Sequence, residues 1–350
     1  MQNELASALL DVVLQGQTAL VNLTTEEKSA LSEVLTKWDI RRVDSLRQAE
    51  SGVSNRVFLL KTERGSFALR AYRVMPRERL DWEHRIIQQA SGVGIPTPLQ
   101  IPTDTDASYL NWKGGQYALF PWIEDEQLER KELTPNHARA MGRFLADMEQ
   151  RFGNLNVLDA PRQRLVVQEE GSTDKALTGI EELLRIIRAL PHHSAQETLA
   201  LSYLQGQQRW LKSLSRRALS QHEYHLRLIH GDYQNNNLFF SQGAVSAIID
   251  WERARLAPGG WDIVRALHLM FELEPTLCRA FVQGYQSVTS IDASELAVTA
   301  NLYGEEQDTD TWLLRAIYRE GNKRARRFLK SGEFRLFSEK WRELLPHLPL

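Results

Sequence analysis

Apolar residues recur along this chain in two rhythms, and the change from one to the other organises it. Leu31, Val34, Leu35 and Trp38 stand at i, i+3, i+4 and i+7 behind Thr24 and Glu27 at capping-box spacing, which predicts a helix with one buried stripe. From about Ile40 the period shortens. Val53–Lys61 and Ser66–Tyr72 flank a Glu63-Arg64-Gly65 turn and predict a β-hairpin, and Gln116–Trp122 predicts another apolar strand. Between them Arg77–Ala90 carries a helical pattern, stopped by Ser91-Gly92 and by Pro96 and Pro98. This block reads as a mostly antiparallel sheet with one inserted helix.

Beyond Trp122 the helical rhythm takes over. Thr134-Pro135 is a cap followed by proline at the first helical position, and Met141, Phe144, Leu145, Met148 and Phe152 form one stripe. Amphipathic stretches follow over about 175–190 and 195–219. Two short strands, Leu226–His230 and Ala244–Asp250, interrupt before helical patterning resumes at Trp261. The expected division is an N-terminal helical segment over 1–38, a sheet-rich lobe over 39–122 and a larger helical lobe over 123–350. The fold class expected is α+β.

Composition works mainly by exclusion. The 350 residues carry 43 Lys plus Arg against 45 Asp plus Glu, a net charge of -2, without the basic excess of a nucleic-acid binder. Cys278 is the only cysteine, which excludes an intrachain disulfide and a cysteine zinc site. No apolar run approaches the ~18 residues of a membrane span. Met1–Leu14 lacks a basic start and is broken by Glu4 and Asp11, unlike a secretory signal. A cytoplasmic protein with neither nucleic-acid nor membrane partners is expected, of unspecified oligomeric state.

The candidate chemistry sits in His230-Gly231-Asp232-Tyr233-Gln234-Asn235-Asn236-Asn237, directly after one apolar strand and before Leu238-Phe239-Phe240. Phosphoryl transfer from ATP needs a carboxylate to orient or deprotonate an attacking hydroxyl and oxygen ligands for magnesium. Asp232 and Asn237 lie five residues apart, and Asp250 ends the next strand 18 residues after Asp232. Asp, Asn and Gly also favour turns for local reasons, and that plainer reading stands beside the chemical one.

These residues resemble the aminoglycoside phosphotransferase and choline kinase superfamily, kinase-like enzymes with a His-Gly-Asp catalytic loop. The superfamily includes homoserine kinase-like and spore-coat kinase-like members. The resemblance covers roughly 40–330 and is strongest over 228–268. It implies a bilobal protein-kinase-like fold with a small antiparallel-sheet N-lobe and a larger helical C-lobe, using ATP and Mg2+. Carried over residue by residue, it implies Asp232 as catalytic base, Asn237 and Asp250 as magnesium ligands, and His230 as a buttress of the loop. Asp262 matches a later structural aspartate, but a plain helix-start carboxylate explains it equally.

In the first lobe, Ser51, Gly52, Ser54 and Asn55 fall where the family's phosphate-covering loop lies, although a hairpin turn accounts for them as well. Arg70 takes the place of the protein-kinase phosphate-binding lysine, with Glu83 as its ion-pair partner; ordinary surface charges are the alternative. Tyr117–Ile123 matches the hinge, with the Pro121 carbonyl and the Ile123 amide at the adenine edge. Without the resemblance it is a buried strand.

The expected function is transfer of the ATP γ-phosphate to a small-molecule hydroxyl. A protein serine/threonine kinase and a catalytically idle kinase-like coat or binding protein are the alternatives. Eleven residues between Asp250 and Asp262 are few for a regulatory activation segment. Tyr303, Glu305, Glu306, Asp308, Asp310 and Trp312 suggest an acidic, aromatic wall for a cationic acceptor such as an amino alcohol or aminoglycoside, or else a solvated acidic loop. The basic residues from Arg315 to Lys330 read as a solvated helix face.

Overall fold

The computed structural model describes residues 25–48, 56–72, 75–155, 157, 160–162, 172–213, 224–322, 325–326, 329 and 334–350. The chain falls into two compact units, one drawn from 1–129, 150–159 and 235–254, the other from 130–149, 160–234 and 255–350.

The first unit is built on a five-stranded antiparallel sheet. Its strands are β1 (Val43–Gln48), β2 (Arg56–Thr62), β3 (Gly65–Tyr72), β4 (Leu110–Trp112) and β5 (Gly115–Pro121), in the order β1-β2-β3-β5-β4. The hairpin forms as the alternation predicts, with Thr62 opposite Gly65 and Phe58 opposite Leu69. The front of the expected Val53–Lys61 strand lies outside the described residues. Helix α1 (Thr25–Leu35) lays Leu31, Val34 and Leu35 on one sheet face against Phe58, Leu60, Leu69 and Leu119, with Trp38 just beyond it. Each such buried side chain contributes about 1.5–3 kcal/mol. Leu69 points into that core, so Arg70, next along the strand, points to the other face.

Helix α2 (Arg77–Gly92) buries Leu80, Trp82, Ile86 and Ile87, and with them Glu83 and His84. Trp82 Nε1 donates to the Ala254 carbonyl at 2.8 Å. The unit also holds a ribbon of β7 (Leu238–Ser241) and β8 (Ala244–Ile248). Leu238 pairs with Ile248, so the residue before β7 and the residues after β8 become neighbours.

The second unit is helical apart from β6 (Leu226–Ile229) and β9 (Arg255–Pro258), which pair antiparallel. Helices α3 (Pro135–Phe152) and α7 (Pro275–Gln286) touch backbone to backbone at Gly142, where a Cβ would lie 1.9 Å from the Phe281 carbonyl oxygen. Only glycine permits that approach. Helices α4 (Ser172–Arg188) and α5 (Ala195–Ser213) share Ile180, Leu183, Leu184, Ile187, Ala200 and Leu204. The unit is completed by α6 (Trp261–Leu269), α8 (Ala293–Thr309), α9 (Trp312–Tyr318) and α10 (Phe337–Leu344). Among the described residues, no helix is long and apolar enough to cross a membrane.

Two expectations are corrected here. The acids from Glu305 onward are not a loop: Glu305, Glu306 and Asp308 lie on α8. Asp308 is buried and accepts the Phe337 N–H at 2.9 Å, so it anchors the start of α10. The basic run is not one helix face either, since α9 ends at Tyr318. Its described members are paired, Arg315 with Glu320, Arg319 with Glu182 and Arg326 with Glu197.

Candidate active site

In the second unit, the loop after β6 is held by the first turn of α6. The Asp262 carboxylate, fully buried, accepts the His230 N–H at 2.8 Å and the Gly231 N–H at 3.1 Å. Gly231 has φ 78, a left-handed conformation that glycine adopts without a Cβ penalty. Burial raises the Asp262 carboxyl above its ordinary value, opposed by His230, the Gly231 N–H and Arg265. The buried His230 ring accepts the Asp232 N–H on Nδ1 at 3.3 Å. Next along the loop, Tyr233 is buried with its hydroxyl donating to the Met141 carbonyl at 2.7 Å. The loop is thus tied to α6 and α3 on either side of Asp232.

Asp232 itself is mostly shielded, its side chain 13% exposed. Arg265, one turn along α6 from Asp262, donates from Nη2 to Asp232 Oδ1. Gln234 Nε2 donates to Oδ2 at 3.0 Å. Both carboxylate oxygens therefore face donors while keeping lone pairs for a hydroxyl.

In the first unit, the β7–β8 register sets Asn237 beside the chain leading to Asp250. Asn237 closes a 3-10 turn (Asn235–Asn237), is buried, and its carbonyl accepts the Ile249 N–H at 2.9 Å. Asp250 follows directly with φ 70, an uncommon conformation for a non-glycine residue that concentrates at functional positions. Arg70 donates to Glu83 at 2.9 Å, to Asp250 at 2.9 Å and to Glu252 at 3.1 Å. Its guanidinium stands 4.7 Å from the centre of the Tyr72 ring. Burial would discharge Arg70, but Glu83, Asp250 and Glu252 hold it protonated well above the ordinary range. Burial, reinforced by Asp250 and Glu252, pushes Glu83 up to about 7 against the pull of Arg70.

Pro121 ends β5 opposite Phe67, and the Trp122 N–H donates to Ser66 O at 3.0 Å; Ile123 follows, half-buried. Ser51, Gly52, Ser54 and Asn55 lie outside the described residues. Tyr303 is buried, its hydroxyl 3.0 Å from His268 Nδ1, while Asp310 and Trp312 are exposed. Four site-forming residues were not assigned from the sequence: Arg265, Gln234 and Glu252, with Asp262 left undecided. A signal existed for Arg265, a lone charge in the apolar run Ile263-Val264-Arg265-Ala266-Leu267.

Among the described residues, no cluster of three or more His, Cys, Asp or Glu side chains forms a metal cage of its own. Magnesium is held by one or two carboxylates together with substrate phosphates and waters. Asp250 and the Asn237 amide are hard oxygen donors of the required kind.

The model of the phosphotransferase enzyme family (APH) matches residues 45–298. A homoserine kinase of Rhizobium etli is 26% identical over 276 residues, covering 75% of this chain and 77% of the relative. Among solved structures, an aminoglycoside phosphotransferase from Alicyclobacillus acidocaldarius aligns with a TM-score of 0.58 at 16% identity, covering 95% of this chain and 97% of the other. An amicoumacin kinase in complex with AMP-PNP and Ca2+ aligns at 0.51 and 16% identity, covering 86% of each chain. The structural likeness gives the kinase-like α+β fold. With the match spanning most of the sequence, the chain belongs to the phosphotransferase enzyme family and is a small-molecule kinase.

Proposed function

We propose that this protein transfers the γ-phosphate of ATP to a hydroxyl of an amino-bearing small molecule, with magnesium held by Asn237 and Asp250. The observation that supports the reading is the β7–β8 pairing, which sets Asn237 beside the chain leading to Asp250. When bound, magnesium supplies positive charge to the phosphate oxygens. Asp232 accepts the hydroxyl hydrogen bond and aims the oxygen at the γ-phosphorus. As the new O–P bond forms and the bond to the β–γ bridging oxygen breaks, the hydroxyl proton passes to Asp232 and ADP leaves. Arg70 holds the phosphates, kept in place by Glu83. Pro121 and Ile123 meet the adenine edge.

The stretch between Asp250 and Asp262 is occupied by a 3-10 turn at Trp251–Arg253 and by β9, which leaves no long activation segment and favours a small acceptor over a protein. With Asp308 committed to α10, the acceptor preference rests on Glu305, Glu306 and Asp310 and on the homoserine kinase relatives. Homoserine, an amino alcohol and an aminoglycoside are therefore the first acceptors to offer. Incubation with γ-labelled ATP and magnesium should give a labelled phosphomonoester with one of them. Label released only as inorganic phosphate across the whole set would count against the reading.

A further inference from the structure

We infer that Arg265 is a positioning residue for Asp232, holding its carboxylate in one orientation and ionised so that it meets the acceptor hydroxyl. The inference rests on the reading of Asp232 as the base and adds a part that reading does not contain. Arg265 is 9% exposed, and its only hydrogen-bond partner among the described residues is Asp232. Its Nη1 is buried with no hydrogen-bond partner. An arginine buried with part of its fork unpaired costs stability that a leucine at the same place would not. Packing alone does not explain its presence in an otherwise apolar stretch of α6.

The geometry supplies the explanation. Asp262 and Arg265 lie three residues apart on one helix, hence on one face. Asp262 clamps the main chain of the loop through two N–H groups, and Arg265 clamps the side chain two residues on. Gln234 holds the second oxygen. A single rigid element thus sets both where the loop runs and how the carboxylate is turned, the kind of preorganisation that keeps a catalytic group within reach of its target. The groups facing this pair are the His230 ring beside Asp232, and Asp262 and Tyr303 around the guanidinium. An adjacent guanidinium favours the ionised carboxylate, so losing it should raise the pH at which Asp232 takes up a proton.

The test uses the full-length protein and four variants: Arg265→Met, Arg265→Lys, Asp232→Asn and the double variant Asp232→Asn/Arg265→Met. The Asp232 titration is followed by side-chain carboxyl 13C NMR, assigned by its loss in Asp232→Asn, so no acceptor is needed. Turnover of Mg-ATP is followed with homoserine, an amino alcohol, an aminoglycoside or water as acceptor. Arg265→Met should raise the Asp232 midpoint by about one pH unit or more. It should lower kcat roughly 10–100-fold with the KM for Mg-ATP within twofold, a loss confined to the chemical step. Arg265→Lys should restore the parent midpoint and most of kcat, and Arg265→Met should cost nothing more in the Asp232→Asn background.

An unshifted midpoint in Arg265→Met, or equal losses with and without Asp232, would overturn the inference and leave Asp232 as base. Near-normal turnover in Asp232→Asn would instead remove the base reading itself. Should Arg265→Met fail to fold by circular dichroism, Arg265→Gln takes its place against Arg265→Lys, with the same two outcomes deciding.

Discussion

Arg265, buried, and Arg70, half-buried, are both bonded to a carboxylate that the family resemblance singles out, yet the two settings differ in charge. At Asp232, one carboxylate meets one guanidinium and a neutral amide. Around Arg70, the guanidinium meets three carboxylates, with Arg79 3.5 Å from Glu252 as a second positive charge. The excess shows in Glu83, whose proton affinity burial and its anionic neighbours have raised. A neutral pair suits a group that must present an oxygen to an uncharged hydroxyl. An acid-rich cluster suits a place that receives a further cation. The same residue type serves in one place as a clamp and in the other as a partial counter-charge.

The largest effect expected of breaking this contrast is on turnover. Asp232→Asn removes the proton acceptor while keeping the shape, and kcat should fall about 10²–10⁴-fold once an acceptor is in hand. Steady-state kinetics with saturating Mg-ATP would show it. A variant with most of its kcat would make Asp232 a turn residue only.

The next effect lies at the acid-rich cluster. Arg70→Met would leave Glu83 buried without its cation, a loss that costs about 3–5 kcal/mol when one partner of a buried pair is removed. Chemical denaturation should show that drop, and Glu83→Gln added to Arg70→Met should recover a large part of it. Equal stability of parent and Arg70→Met would mean the network is too well solvated to matter.

A smaller effect separates the acids of α8 from both clusters. Burial pushes Asp308 up to about 7, from an unfolded value near 3.8. The folded state therefore holds the proton more tightly, so this group's contribution to stability is full at low pH and is lost as pH rises through about 7. Asp308→Asn keeps an acceptor for the Phe337 N–H and removes the charge. Relative to the parent it should gain about 4 kcal/mol on going from pH 4 to pH 8. Denaturation midpoints at the two pH values would check this, and a constant difference between the proteins would contradict it.

How much was legible in the sequence follows from which interactions are local. The period-2 and period-3.6 patterns located the hairpin, β5, α2 and α3 to within a few residues, because each element's own stripe faces its core. Strands β1, β4 and β9 carry too few apolar positions to stand out, and their pairing depends on partners distant in the chain. The His230–Asn237 motif was visible because its parts are contiguous. The role of Arg265 does not stand out in the sequence because its meaning depends on Asp232, 33 positions earlier. The acids at 305–310 misled for the opposite reason. Their spacing looked like a surface, and only the approach of Phe337 shows that Asp308 is internal.

The central claim is that the acid-rich cluster at Arg70 and Asp250 binds the metal–nucleotide and that the neutral pair at Asp232 does not. Calorimetric titration of Mg-ATP into the parent, Asp232→Asn and Asp250→Asn measures this directly. The account predicts that Asp232→Asn keeps the parent Kd within about threefold while Asp250→Asn weakens it by about tenfold or more, a difference of ~1.4 kcal/mol. Parent-like affinity in Asp250→Asn, or an equal loss in both variants, would contradict it.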